Sequence, residues 1–152
     1  MAFKLASSAF ADGGTIPKQF TCDGNDQPPA LTVSDPPEGT KSFALTMDDP
    51  DAPNGTFTHW LAYDIPFHKT DLRTESAKTL RNSFGRDGYG GPCPPHGHGP
   101  HRYYLTVHAV DVSSLPLKGQ SRNDLDAALN AHTLATAQLV GRYERVKVGS
   151  AV

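Results

Sequence analysis

The chain is short of several features that would point to particular functions. Only two cysteines, Cys22 and Cys93, occur in 152 residues, too few for a disulfide scaffold and not spaced as a Cys-x-x-Cys pair. Free thiols are the expected state, with a single disulfide as the alternative. No run approaches the roughly 18 apolar residues of a membrane span. Met1 to Phe10 contains no apolar stretch ahead of a small-residue cleavage site, so no secretory signal is legible. A cytoplasmic location is therefore expected, a mature secreted form being the alternative. Neither sign of charge dominates: 14 Lys+Arg against 16 Asp+Glu leave a net charge of −2. Such a chain has no positive field to hold DNA or RNA, and nucleic acid is excluded as the expected partner. Internal repeats, charge blocks and low-complexity tracts are also missing, and the length fits a single domain over residues 1–152.

What the chain has in excess is turn chemistry. Its 14 glycines and 13 prolines make up about 18 % of the residues, against roughly 12 % in average composition. Most of them fall in Cys22 to Gly39, Pro50 to Gly55 and Gly85 to Pro100. Between these loops, three segments alternate with period two, the pattern of half-buried strands. One parity reads Phe43, Leu45, Met47, Asp49 in the first. It reads His59, Leu61, Tyr63, Ile65 in the second and His101, Tyr103, Leu105, Val107, Ala109 in the third. One helical period is present. From Asn123 onward, Leu125, Ala128, Leu129, His132, Ala135 and Leu139 recur at three or four residues, with Ser121 or Asn123 as N-cap and Gly141 as the stop. Strands followed by a late helix predict a mainly β, sandwich-like fold of antiparallel sheets plus a C-terminal helix.

Each of the three strands carries polar groups at one end of an otherwise apolar face. If Pro50 to Thr58 closes an antiparallel hairpin, Asp49 and His59 become neighbours, and the third strand brings His101 and Tyr103 to the same rim. One carboxylate, two imidazoles and a phenol over an apolar floor form a small-ligand site. A carboxylate that fixes one imidazole nitrogen raises the imidazole pKa and leaves the other N–H facing a ligand. His59 and His101 as such donors, with the Tyr103 hydroxyl and glycine-loop backbone N–H groups, suit an anion of phosphate or carboxylate size. By the same parity, Trp60 belongs to the opposite face, and Arg102 is set to pair with Asp49, Asp51 or another loop carboxylate.

At these residues the sequence resembles the phosphatidylethanolamine-binding protein family, in its shorter bacterial and archaeal branch related to Raf kinase inhibitor protein. Four ordered motifs carry the resemblance: Cys22-Asp23-Gly24 with Pro28-Pro29; Pro37 to Ser42; Asp48-Asp49-Pro50-Asp51-Ala52-Pro53 leading to His59-Trp60; and Gly88 to Pro95 leading to His101-Arg102-Tyr103. A weaker match covers Ala137 to Tyr143. The resemblance implies antiparallel sheets with Greek-key connections and an anion pocket built from Asp49, Pro53, His59, Gly91, His101 and Tyr103. It implies phosphoryl or other small-anion head groups as ligands, a protein kinase or another protein as partner, and, from the short members, a homodimer. Asp26, Pro28 and Val33 depart from the residues relatives commonly carry, upstream of the pocket.

Two other chemistries are open to these residue types. Cys93, His96, His98 and His101 are metal-ligating types, but their spacing fits no common zinc pattern and prolines stiffen the loop, so no metal or other cofactor is expected. The Asp–His pair lacks a serine or cysteine at a recognisable nucleophile position, so a binding protein is expected in place of an enzyme. The alternatives are an interaction module with a vestigial pocket, and a hydrolase or metal-dependent enzyme using the Asp/His cluster.

Overall fold

A computed structural model describes residues 2–146 of the chain. The elements run β1 (Lys4–Ala6), β2 (Thr32–Ser34), β3 (Ser42–Asp49), β4 (Phe57–Ile65), β5 (Phe67–His68), β6 (Asp71–Leu72), β7 (Lys78–Thr79), β8 (His101–Val110), α1 (Arg122–His132) and β9 (Thr133–Tyr143). They form two antiparallel sheets, β1-β2-β6-β5 and β7-β4-β3-β8-β9. The expected β fold with one late helix is what the chain adopts. No helix among the described residues is long and apolar enough to cross a membrane.

The main core lies between the sheets. Leu5, Val33 and Leu72 of the small sheet meet Phe43, Leu45, Met47, Tyr103, Leu105 and Val107 of the large one. The outer face of the large sheet is covered as well, because Leu125, Ala128 and Leu129 of α1 pack on Ala44, Leu61 and Val110. This double cover explains why β3 is buried almost throughout, at both parities.

Three sequence expectations need correction. The helix stops at His132, and Thr133 to Tyr143 form an 11-residue strand paired along β8. Leu125, Ala128 and Leu129 do line a helix face, and Ser121 caps it in a capping box with Asp124. Ala135, Ala137 and Leu139, however, also alternate, and the open edge of β8 decides between the two periods by supplying the hydrogen bonds. Gly141 is accordingly no helix stop: a Cβ there would collide with Ile16 and Phe10, whose segment crosses close to the strand.

The second correction concerns the cysteines, which form a disulfide, Cys22–Cys93, with Cα atoms 5.4 Å apart across a sequence separation of 71. Two residues so distant in sequence give no local sign of pairing. The third concerns strand parity. The β3–β4 ladder shifts register twice, between Phe43 and Leu45 and between Met47 and Asp48. Trp60 is paired with Met47 and Ala62 with Leu45, so these residues share the inter-sheet core, and Leu61 turns to the helix side. Trp60 is thus structural, as expected, but on the face opposite to the one that alternation implies. There its ring meets Tyr89 edge-on at 5.1 Å.

Candidate functional site

The site stands where the ends of β3 and β8 meet the start of β4. In the acidic turn that follows β3, three carboxylates have three separate tasks. Asp48 faces the helix side, where it takes two hydrogen bonds from Arg122, at 2.9 and 3.1 Å, and one from the Thr58 hydroxyl. Asp51 takes a forked pair from the Arg102 guanidinium and a third bond from the Arg102 backbone N–H. That pairing holds the Asp51 carboxyl at about 2, below its usual 3.8. Asp49 points inward between them. Its Oδ1 accepts the Asp51 N–H at 2.8 Å, which tightens the turn, and its Oδ2 lies 2.6 Å from His101 Nδ1.

His59 reaches the same space by way of a bulge. Met47 pairs with Trp60 and Asp48 with Thr58, so β4 carries one extra residue at His59. Such an insertion bends the strand and re-aims a side chain. Here it keeps His59 on the inward face after Trp60, with its ring 5.2 Å from that of Tyr103. His59 Nδ1 donates to the Gly90 carbonyl at 2.7 Å while the Gly90 N–H donates back to the His59 carbonyl. A carbonyl only accepts, so Nδ1 carries the hydrogen and Nε2 of the neutral ring presents a lone pair. Burial lowers the His59 pKa below 6.5, against the opposing pull of the Gly90 backbone and the Asp49 charge.

Tyr103 completes the group. Its side chain is fully buried, yet its hydroxyl has no hydrogen-bond partner among the described residues. Burial first, then the charge of Asp49 and the approach of its carboxylate to the hydroxyl, push its pKa far above the ordinary 10; no hydrogen bond of good geometry forms between the two. The hydroxyl therefore keeps its proton and is a donor in waiting.

These groups line a cavity of about 290 Å³. Asp49, His59, His101 and Tyr103 form its polar side, and Pro53, Phe57, Phe84 and Pro94 contribute to its apolar walls. A volume near the lower end for ligand pockets suits a head group more than a large molecule. Five of the six expected site residues therefore meet here. Gly91 does not: its N–H donates to Asp26 at 2.8 Å. A side chain at Gly91 would strike the Phe20 carbonyl and Asp26. The glycine is required by the close approach of the 20–26 loop, with Asp26 also bound to Arg86, and its amide is not offered to the cavity.

Sequence reasoning missed the aromatic walls and kept the disulfide only as the alternative to free thiols. Phe57 lies two residues before His59 and was open to the same alternation argument. Phe84, 4.7 Å from Phe57 and 5.3 Å from His59 between ring centres, is brought in by a loop with no periodic signal. Cys93 lines the cavity as half of the disulfide. The loop ligand set weighed for a metal is dispersed. The Cys93 sulfur is bonded to Cys22, His96 Nδ1 lies 3.0 Å from the Val146 carbonyl, and His98 lies against His101.

Comparison with known proteins agrees with this fold. A family model described as phosphatidylethanolamine-binding protein matches residues 6–144. A UPF0098 protein of Aquifex aeolicus is 51 % identical over 151 residues, covering 93 % of this chain and 88 % of the relative. The UPF0098 protein YbcL of Escherichia coli is 37 % identical over 161 residues, covering 94 % of this chain and 88 % of the relative. Among solved structures, the Chlamydia trachomatis phosphatidylethanolamine-binding protein homologue CT736 superposes with a TM-score of 0.84 at 36 % identity, covering 95 % of this chain and 98 % of that one. The crystal structure of Escherichia coli YbcL gives 0.83 at 34 % identity, covering 95 % and 99 %.

Proposed function

This chain belongs to the phosphatidylethanolamine-binding protein family, and on that premise we propose that its cavity binds a small anion of phosphoryl type, free or as a head group. The observation that carries the reading is the Tyr103 hydroxyl, buried and protonated at a cavity wall, beside Asp49 yet making no hydrogen bond among the described residues. An unmade hydrogen bond there costs about 1–3 kcal/mol, which an incoming acceptor recovers.

The imidazoles set a condition on that binding. With Nδ1 of His59 donating to Gly90 and Nδ1 of His101 facing Asp49, neither neutral ring has a second N–H for an anion. His59 becomes a donor only as an imidazolium, a state its burial disfavours in the empty site. Anion binding supplies the missing partner charge and draws a proton in. Binding is thus coupled to uptake of about one proton at His59, and affinity strengthens as pH falls. We further propose that the site binds and does not catalyse, since the cysteine in its wall is held in a disulfide. That bond also favours an oxidising compartment, or a thermophile's disulfide-tolerant interior, over the reducing cytoplasm. A protein partner that reads the occupied pocket, a kinase included, has Phe84 to touch, 39 % exposed at the cavity.

Titration calorimetry with phosphoethanolamine and with sulfate, in buffers of different ionisation enthalpy, tests the coupling. Sulfate carries no titrating proton near neutrality and isolates uptake by the protein. The expected result is about one proton bound per anion and a roughly tenfold fall in affinity per pH unit above the His59 pKa. Tyr103→Phe is expected to weaken binding about tenfold or more, as loss of a hydrogen bond to a charged group implies. Equal affinity at pH 6 and pH 8, or full binding in His59→Ala and His101→Ala, would overturn the reading.

A further inference from the structure

The histidine-glycine loop before β8 contains a residue bonded to a member of the site. His98 Nδ1 lies 2.6 Å from His101 Nε2, with the two rings edge to face at 4.9 Å between centres. The other nitrogen of His101 is already committed to Asp49. His101 is 1 % exposed, so both of its polar atoms are satisfied inside the protein, and as it stands it has no N–H to give a ligand.

Only one hydrogen fits between two ring nitrogens at that separation. Either neutral His101 accepts from the His98 Nδ1–H, or the His101 imidazolium donates to the His98 lone pair. In both arrangements His98 occupies the place that a ligand bonded to His101 Nε2 would take: the imidazolium donates its hydrogen to a phosphoryl oxygen, and neutral His101 accepts one from the phosphate's own P–OH. The two partners are unequal in their freedom to leave. His101 is anchored in β8, between Asp49 and the Tyr103 ring stacked at 6.5 Å. His98 is exposed and lies between Gly97 and Gly99, whose φ angles of 73° and 86° are left-handed. Glycine tolerates such backbone without strain and gives the intervening residue room to turn outward. Once displaced, the His98 ring hydrogen-bonds to water, while His101 turned into the bulk would leave Asp49 buried and unpaired.

We propose that His98 is an internal competitor for the anion, holding the one nitrogen of His101 that Asp49 leaves open until a phosphoryl group displaces it. The proposal rests on the anion-binding reading above and adds a specific control on its affinity. A site whose competent form is only partly populated shows an affinity reduced by that fraction. Removing the competitor restores it.

The test is a double-mutant cycle read by calorimetry with inorganic phosphate at one fixed pH, using the wild type, His98→Ala, His101→Ala and the double variant. His98→Ala is expected to bind phosphate about tenfold more tightly than wild type, the change that one exchanged hydrogen bond brings. In the His101→Ala background the same substitution should change nothing. His98→Ser, which keeps a small polar side chain unable to span to His101, should reproduce the gain and excludes an accident of the alanine. The His98 ring ¹⁵N signals should move on adding phosphate to wild type, as the ring leaves His101 for water, and should stay in place in His101→Ala. Unchanged binding in His98→Ala overturns the competitor role alone. Weakened binding overturns it in favour of His98 as a direct ligand. Failure of the wild type and of His98→Ala to bind any phosphate refutes the anion reading and this proposal together.

Discussion

Cutting the Cys22–Cys93 bond has a consequence that can be worked out from the fold. The bridge closes a loop with a sequence separation of 71 that contains β2 to β7, most of both sheets. In the chain-entropy description, closing about 71 residues removes roughly 15 cal/mol/K from the unfolded chain, or about 4.4 kcal/mol at 25 °C. The folded state does not depend on the sulfurs for its local geometry. The Cys22 N–H donates to the Pro92 carbonyl at 3.2 Å, the Gly91 N–H to Asp26, and the Tyr89 hydroxyl to the Phe20 carbonyl at 2.6 Å. Arg145 adds an ion pair with Asp23 at 3.3 Å. The reduced protein is therefore expected to keep its fold, and the loss is expected to come almost wholly from the freed unfolded chain. An unfolding entropy of about 0.32 kcal/mol/K for a chain of this length converts the loss into a fall in Tm of about 14 °C. The assay compares the oxidised wild type with Cys22→Ser/Cys93→Ser by thermal circular dichroism and by urea unfolding at 25 °C. A loss below about 1.5 kcal/mol with a native spectrum would refute the argument, because the loop would then already be restrained in the unfolded chain.

The remaining predictions concern the site and its supports. Burial lowers the His59 pKa below 6.5, so the unfolded chain binds the proton more readily. Stability from this residue is full above about pH 6.5 and declines as pH falls through the folded value. Urea unfolding at pH 7.5 and 5.5 should show this decline, sulfate should reduce it, and His59→Gln should remove the His59 share, leaving that of His108, whose pKa burial also lowers. Asp51 is held at about 2 against its usual 3.8, which reverses the sign: its pair with Arg102 stabilises above about pH 4 and is lost as pH falls towards 2. An acid titration of Asp51→Asn should lack that component, and in wild type the effect should shrink in high salt, since Arg102 is half exposed. Gly91→Ala should destabilise by about 1–3 kcal/mol, because its Cβ meets backbone on the 20–26 loop that cannot give way. A measured cost near zero would mean that this loop yields.

How much of the molecule the sequence decides is seen best at neighbouring residues. Alternation over Phe43 to Asp49 and His101 to Ala109 is a one-body pattern, because each side chain's face follows from the pleat of its own strand. Both strands and the meeting of Asp49 with His101 and Tyr103 were legible from it. The Ser121 cap was legible for the same reason, since a hydroxyl three residues before an acidic side chain acts within one turn. His59 arrives at the expected place by an unexpected route. The bulge that carries it is a property of two paired strands and leaves no mark on either one alone. The Thr133–Tyr143 strand, the disulfide across 71 residues, the Asp26 bond to the Gly91 amide and the His98 contact are likewise two-body facts. The sequence by itself determined which residue types are available to the site and which faces are apolar, since those follow from local periodicity and side-chain chemistry. Only the tertiary structure decided which of those polar groups are already satisfied. A hydrogen bond depends on what lies within about 3 Å, and for Tyr103, His101 and Gly91 that distance is spanned by chain segments far apart in sequence.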